Sequence, residues 1–376
     1  MQQPINILAL ASYTFLPARM GGQKCIAFLY AFLAKKVTLT CVGTKSNDSS
    51  LAEYEMLPIL SDSPFHYINV FYFFTLRKII KQKKITHLQI EHPYYGWLAL
   101  LLKWFCKVKL IVHSHNIEGL RFKSTGKWWW FLLLNYEKVV HQNADYNYFI
   151  TDEDKEYAIN NFHLNPSHCC TITYGVENKQ PPTEIEKLTA RNTILEKHGI
   201  DNKTCLLFFN GVFSYKPNLD GLKMIIQDIN PLLLKQPEFT YKIIICGKGL
   251  PLAMNSLTQY ADQNIIYAGF VENIDTYFQA SDILLNTTTS GGGIKTKLVE
   301  ALGYNTTVIS TPNGAIGANA SICKGKLIIV EDSNPSAFVT AILSNRNAPL
   351  NTPASFYETY YWGNIVEKAI KFISSY

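Results

Sequence analysis

Several features that would decide the matter at once are missing from this sequence. No uninterrupted apolar run reaches the ~18 residues a membrane-spanning helix needs; the best candidate, residues 97–112, is broken by Lys103, Lys107 and Lys109. No CxxC pair occurs among the eight cysteines, Cys25, Cys41, Cys106, Cys169, Cys170, Cys205, Cys246 and Cys323. Most lie inside apolar runs and read as reduced core thiols. No basic region with a cleavage site precedes the first strand pattern, so no secretory signal is expected and the cytoplasm is the expected compartment. Charge is scarce, 17% of residues, and the net +6 is spread along the chain, which argues against a nucleic-acid partner. The GxGxxG fingerprint and its downstream acid are absent after the first strand, which argues against a nicotinamide dehydrogenase.

What is present is a packed globular composition, 47% apolar and 13% aromatic over 376 residues. That length exceeds what one core supports, so two domains of roughly 150–200 residues are expected. Short β-rich runs alternate with helical stretches, the α/β pattern of parallel strands joined by crossovers. Strands are predicted at 5–12, 37–43, 87–91, 109–115, 146–151 and 169–174, with helices near 23–35, 70–83, 96–106 and 127–142 between them. A polar, proline-bearing, partly helical stretch at 179–202 is the expected linker. It separates an N-terminal domain, 1–178, from a C-terminal one, 203–354. The second series of strands falls at 205–210, 241–246, 265–268, 283–286, 307–311 and 327–330. The expected architecture is two Rossmann-like doubly wound domains facing each other across a cleft, with ligands beyond the carboxyl ends of the strands.

Four motifs follow strands. Gly21 and Gly22 precede a helix, where bared amides and the helix N-terminus suit a diphosphate, although a glycine turn is often structural. His113 and His115, two apart on one strand, share a side. With no acidic or third histidine ligand at a convincing spacing, one imidazole is expected to donate a hydrogen bond in the cleft and the other to be structural, and no metal is expected. Thr151 to Asp154 reads as a helix cap and not as an acidic metal motif. In TTTSGGGIKTKLVEAL, Gly291, Gly292 and Gly293 bare the backbone and a helix is expected from about Ile294. On it Lys297 and Glu300, three apart, present a cation for a diphosphate and a carboxylate for a ribose diol; the bland alternative is a surface ion pair worth ~0.2–0.5 kcal/mol. Residues 128–134, with Lys123, Lys127 and Lys138 around them, favour a buried helix, while a basic aromatic edge would also suit a membrane surface.

These residues resemble glycosyltransferase family 4, retaining enzymes of the GT-B fold. The ordered series that carries the likeness is the Gly21-Gly22 loop, HSHNIEGLR at 113–121, ADYNYFITDEDK, TYGVE at 173–177, FNGVFSYKPNLDGL at 209–222, IICGKG at 244–249, YAGFVENIDTYFQASDILLNTT at 267–288 and GGGIKTKLVEAL. The resemblance implies a nucleotide held by the C-terminal domain, with Glu300 on its ribose. The family's second glutamate, eight residues earlier, is replaced by Gly292, so the loop is expected to meet the sugar through amides. Where many members carry a phosphate-binding arginine, this chain has Val212 and Phe213; Lys216 is an expected substitute, and Lys297 is the safer cation.

The resulting expectation is transfer of a hexosyl group from a nucleoside-diphosphate sugar to a glycan or lipid-linked acceptor, with retention, in cell-surface polysaccharide or glycoconjugate synthesis. The alternatives are a sugar-nucleotide epimerase of the same fold and a non-catalytic nucleotide-sugar-binding protein. The expected catalytic residues are His115, His113 and Lys297. Donor-binding residues are expected at Gly21, Gly22, Lys216, Gly247, Gly291, Gly292, Gly293, Ile294, Lys297 and Glu300. No cofactor or metal is expected, and peripheral contact with the inner membrane surface is an expected property. Residues 355–376 are expected to return to the first domain.

Overall fold

A computed structural model describes residues 4–332, 334–346 and 350–375. The chain divides into two units, one running to Glu177 and including the segment from Trp362, the other Asn178–Tyr361. The first contains β1 (Asn6–Leu10), α1 (Gly21–Ala34), β2 (Thr38–Thr44), β3 (Glu55–Leu60), α2 (Tyr72–Gln82), β4 (His87–Glu91), α3 (Gly96–Cys106), β5 (Lys109–Ser114), α4 (Glu118–Ser124), α5 (Trp130–Gln142), β6 (Tyr146–Phe149), α6 (Asp152–Phe162) and β7 (Cys169–Thr171). Its sheet has the order β3-β2-β1-β4-β5-β6-β7, and every pairing is parallel.

Helices cover both faces of such a sheet, so its inner strands are buried throughout and need no polar alternation. The strand NILAL illustrates this, with Ile7, Leu8, Ala9 and Leu10 all buried. β3 is the strand the sequence did not reveal. Its Pro58 lacks an N–H, which is tolerable because β3 lies at the sheet edge.

The second unit contains α7 (Glu184–His198), β8 (Cys205–Val212), α8 (Lys216–Met224), α9 (Asn230–Leu233), β9 (Tyr241–Lys248), β10 (Ile265–Gly269), α10 (Ile274–Ala280), β11 (Ile283–Asn286), α11 (Thr296–Gly303), β12 (Thr307–Ser310), β13 (Leu327–Ile329), α12 (Pro335–Asn345) and α13 (Ala354–Tyr360). Its six strands run β10-β9-β8-β11-β12-β13, again all parallel. In each sheet the strand order reverses once, between β1 and β4 in the first and between β8 and β11 in the second. Beyond the carboxyl ends at such a reversal the crossovers diverge and leave room for a ligand.

Three expectations are corrected. The stretch 179–202 is not merely a linker: α7 begins at a capping box of Thr183 and Glu186, ends on the left-handed Gly199, and is anchored in the second unit by Arg191, which donates to both Asp282 carboxylate oxygens. The return to the first unit starts at Trp362 and not at residue 355. Tyr357 donates to the Gly303 carbonyl and so holds α13 in the second unit, whereas α14 (Trp362–Ser374) accepts hydrogen bonds from Tyr148 and Tyr146 of β6. Trp362 is fully buried beside Tyr174. Finally, the favoured burial of 128–134 fails: Trp128 is 76% and Leu132 55% exposed, because α5 buries only the face bearing Glu137, Val140 and His141. The helix cap at Thr151 is present, with the Asp154 N–H donating to its hydroxyl.

Candidate active site

In the second unit the reversal point is occupied by a lysine. Lys297, in the first turn of α11, is turned inward and only 8% exposed. Its Nζ donates to the Asn210 carbonyl at the end of β8 (3.0 Å) and to Asn218 Oδ1 on α8 (3.2 Å). It also lies 4.6 Å from the centre of the Phe209 ring. Burial, followed by the nearby Lys295, pushes its pKa down to about 7. The ammonium thus rests on neutral oxygens and a ring face with no carboxylate among them, and two of its three protons are held by these oxygens. A buried cation without an anion is costly. An anionic ligand arriving at the third proton would remove that cost.

Asn218 is fixed by its own donation to the Val212 carbonyl (3.1 Å), and Gly211 leaves it room, since a Cβ there would approach Asn218 Cγ to 2.8 Å. Beside it, Asn210 Oδ1 is buried without a hydrogen-bond partner. A stranded acceptor of this kind costs about 1–3 kcal/mol.

The glycine-rich loop links β11 to α11. Gly291 (φ +92°) and Gly293 (φ +67°) occupy left-handed conformations, and a Cβ on Gly291 would come within 2.7 Å of the Tyr215 hydroxyl. Lys295 Nζ donates to three successive carbonyls, those of Gly291, Gly292 and Gly293, at 3.1, 3.1 and 3.0 Å. In a trans peptide the N–H points opposite to the C=O, so this grip turns the amides of Gly292, Gly293 and Ile294 away from Lys295. The strand end beneath is pinned by Asn286, which donates to Ser310 Oγ and the Gly314 carbonyl.

The remaining residues of this unit fall out unevenly. α11 starts at Thr296, not at Ile294, because Ile294 and Lys295 still belong to the loop. Glu300 is half-buried on the same helix as Lys297. Lys216 is exposed and paired with Asp220 one turn on, so its charge is already answered. Gly247 has φ +150°, and a Cβ would meet the Gly211 carbonyl at 1.9 Å; close approach of β8 and β9 is enough to require glycine there.

In the first unit the reversal point gathers histidines and carboxylates. Glu91, at the end of β4, is fully buried and accepts four hydrogen bonds: from Tyr30 (2.8 Å), Gln89 (2.8 Å), His113 Nδ1 (2.8 Å) and His115 Nε2 (2.8 Å). Burial pushes its carboxyl up, but His113 and His115 outweigh that and hold it well below the usual carboxylate range. His113 is fully buried, and its Nε2 has no hydrogen-bond partner. His115 lies just past β5, its ring 4.3 Å from that of His92. Burial first, then His92, lowers its pKa to about 4, so it is neutral near pH 7. Because Nε2 faces an acceptor-only carboxylate, the proton sits on Nε2 and Nδ1 is left as an acceptor. His115 thus donates to Glu91 through Nε2 and offers an acceptor at Nδ1.

The same cluster revises the metal argument. Glu91 supplies the acidic neighbour that linear spacing did not show, and its carboxylate with His113 and His115 forms a group whose ligand atoms all lie within 4.8 Å. These residues could hold an ion, but the carboxylate's four acceptor sites are already filled by donors. A second buried carboxylate, Glu118, binds Arg121 (2.6 Å) and Tyr94 (2.6 Å) and lies 3.2 Å from His92 Nδ1. Burial raises the Glu118 carboxyl, but His92 and Arg121 outweigh it and keep it well below the ordinary range. Glu137 accepts the Glu118 and Gly119 N–H groups (3.1 Å each), and burial pushes its pKa up to about 8. Gly21 and Gly22 are the first two residues of α1, and Gln23 secures the turn before them by accepting from the Arg19 and Met20 N–H groups.

Residues that sequence reasoning missed are Lys295, Asn210, Asn218 and Glu91. Lys295 stands inside the motif GGGIKTKLVEAL, and Asn210 and Asn218 stand inside FNGVFSYKPNLDGL, but no spacing singles them out. Glu91 lies on a neighbouring strand, where no linear spacing signals it.

Comparison with known proteins fits this division of the chain. The family model described as Glycosyltransferase Family 4 matches residues 21–180, and that described as Glycosyl transferases group 1 matches residues 204–345. The chain is 27% identical over 289 residues to chitobiosyldiphosphodolichol beta-mannosyltransferase of Debaryomyces hansenii, a match that covers 70% of this chain and 61% of that protein. Among solved structures, sucrose-phosphate synthase from Thermosynechococcus elongatus superposes with a TM-score of 0.74 at 14% identity over 98% of both chains. Anabaena HepE in complex with UDP and glucose gives 0.69 at 12% identity, covering 99% of this chain and 100% of that one. These two likenesses establish the fold.

Proposed function

We propose a donor and an acceptor class for a chain that belongs to the family 4-like glycosyltransferases of the GT-B fold and is a transferase. The donor is a nucleoside-diphosphate sugar bound at the second unit's reversal point. The observation that carries this reading is Lys297, a buried cation with no counter-charge among the described residues, beside a loop whose amides face away from Lys295. As the bond from the sugar's anomeric carbon to the diphosphate breaks, negative charge grows on the departing oxygen. Lys297 and the amides of Gly292, Gly293 and Ile294 stabilise it. The acceptor hydroxyl forms the new bond to the anomeric carbon on the face the diphosphate leaves and passes its proton to the departing diphosphate oxygen. In this scheme charge neutralisation needs no metal. Glu300 accepts from the ribose diol, and in the first unit His115 offers Nδ1 as an acceptor to a substrate hydroxyl.

The acceptor is a glycan or a lipid-linked glycan, and the transfer is a retaining hexosyl transfer in surface polysaccharide or glycoconjugate synthesis on the cytoplasmic side of the membrane. A relative whose name places its substrate on a dolichyl diphosphate supports the lipid-linked form. Among the described residues no helix is long and apolar enough to cross a membrane.

The test is product analysis by mass spectrometry and NMR, using UDP-, GDP- and ADP-sugars with and without lipid-linked oligosaccharide, in the presence of EDTA. Expected is an acceptor-dependent glycoside with the donor's anomeric configuration. Donor isomerised or hydrolysed at the same rate without acceptor would overturn the transfer reading, and an inverted product would overturn retention.

A further inference from the structure

The backbone just past β4 adopts a conformation foreign to its residue type. His92 has φ +62° and ψ 159°. Lys107 and His163 also have positive φ, but with ψ of 37° and 46° they make the ordinary left-handed turn that closes a helix. The combination at His92 belongs almost to glycine alone, and a side chain there costs stability. The sheet imposes it: Glu91 pairs with His113 between β4 and β5, and the next N–H, that of His92, donates to the His113 carbonyl (2.9 Å). Glycine would make the same bend without strain. A histidine in its place points to a use for the imidazole.

Its neighbours aim that ring. Glu118 spends Oε2 on Tyr94 and on Arg121 Nε and Nη2 (2.6, 2.9 and 2.6 Å), which leaves Oε1 beside His92 Nδ1 at 3.2 Å. The carboxylate can only accept, so the ring proton belongs on Nδ1 and the lone pair on Nε2. Nε2 faces the Tyr13 hydroxyl at 3.5 Å, too long for more than a weak bond. Polar groups around it are left wanting: His92 Nδ1, Glu118 Oε1 and Ser12 Oγ are buried without a hydrogen-bond partner. Leu10 pairs with Ile90, so Ser12 and His92 leave adjacent strands together. The His115 ring lies 4.3 Å away and the Tyr94 ring stacks on His92 at 5.4 Å. Tyr13, Tyr94 and Arg121 are half-buried and form the open side of the group.

We propose that His92 is a specificity-determining residue for the acceptor: Nε2, beside Tyr13, receives a hydrogen bond from a sugar hydroxyl of the glycan, and Glu118 is the positioning residue that aims the ring. Imidazole acceptors and hydroxyls that both donate and accept suit a polyhydroxylated ring, and the tyrosine faces suit its C–H side. Arg121 is committed to Glu118, so the group does not favour an anion. A site built to pair with a hydroxyl rejects molecules that lack it, because its own buried groups then stay unpaired. The inference rests on the glycosyl-transfer reading and names the residue that selects the acceptor.

The test compares the full wild-type chain with His92→Gly in thermal unfolding, in calorimetric affinity for nucleoside diphosphate, and in the kinetics of transfer to lipid-linked oligosaccharide. Expected are a melting temperature equal to or above wild type, since glycine relaxes the backbone, and unchanged nucleoside diphosphate affinity. The acceptor KM should rise about tenfold with kcat little changed, and free imidazole should restore part of the loss. His92→Asn tolerates positive φ but places no acceptor where Nε2 was. It should raise the KM in the same way, and it keeps the test open if the glycine variant does not fold. An unchanged acceptor KM in both variants, or a lowered melting temperature with activity lost in proportion, would overturn the proposal. Wild type that binds nucleoside diphosphate yet transfers to no acceptor would overturn the transferase reading and this inference with it, a result seen before any variant is made.

Discussion

The two reversal points solve the same problem in opposite ways. Among the described residues of the first unit the two buried carboxylates of the histidine cluster meet opposite charge: Glu91 accepts four hydrogen bonds, two of them from histidines, and Glu118 holds Arg121, while Glu118 Oε1 and His113 Nε2 have no hydrogen-bond partner. In the second, buried Lys297 has only a carbonyl, an amide oxygen and a ring face. A buried charge that meets an opposite charge stabilises the scaffold that contains it. One that meets none leaves free energy to be released by a ligand of opposite charge. The contrast supports the proposed placing of the diphosphate beside Lys297 in the second unit.

The comparison breaks most visibly at Glu91. Glu91→Ala strands His113 and His115 without their acceptor, and breaking a buried pair costs about 3–5 kcal/mol. Urea denaturation should show that loss, with nucleoside diphosphate affinity in the second unit little changed. Because the Glu91 carboxyl is held below its ordinary 4.5, its contribution is fully present above that pH and is lost as acid carries the protein down through the lowered value. An E91A variant as stable as wild type at pH 7 would mean that the network is ornamental.

Gly291→Ala probes the open side. The left-handed φ and the 2.7 Å approach of the Tyr215 hydroxyl predict a loop strained by about 1–3 kcal/mol. The expected readout is a loss of donor affinity larger than any loss of thermal stability. The reverse ranking would make the loop a structural turn.

Lys295→Met is the gentler test of the same loop. Three carbonyls lose their donor, and the amides opposite lose their fixed direction, so donor binding should weaken roughly tenfold, about the worth of one or two hydrogen bonds. Titration of donor followed by intrinsic fluorescence measures it. Unchanged binding would leave Lys295 with only a surface role.

How far the sequence could be read follows from what periodicity encodes. The alternation of apolar runs and helices made two parallel α/β sheets legible, and an ordered series of motifs made the family legible. β3 escaped because Pro58 argues against a strand unless the strand is known to lie at an edge. Exposure of residues 128–134 escaped because an apolar run does not say which of its faces the fold will cover. Within the site, Lys297 was legible from its place after a glycine run, but the oxygens that hold it, on Asn210 and Asn218, come from other elements. His113 and His115 were visible as a pair. That Glu91 would bury one and fix the tautomer of the other depends on the alignment of Glu91 with His113 between β4 and β5.

The central claim is that Lys297 is a cation in want of an anion, and calorimetric titration of nucleoside diphosphates into wild type and Lys297→Met, from pH 6 to 9, tests it most directly. Since burial holds the free-protein pKa at about 7, the charged form fades above that pH and an anion must restore its proton. Wild-type affinity should therefore fall as pH rises past 7, by up to about tenfold per unit, with proton uptake on binding. The variant should bind about 10- to 100-fold more weakly at pH 6.5, show no such slope, and melt at a higher temperature there, because the uncompensated charge is gone. Equal affinity and equal pH dependence in the two proteins would contradict the account.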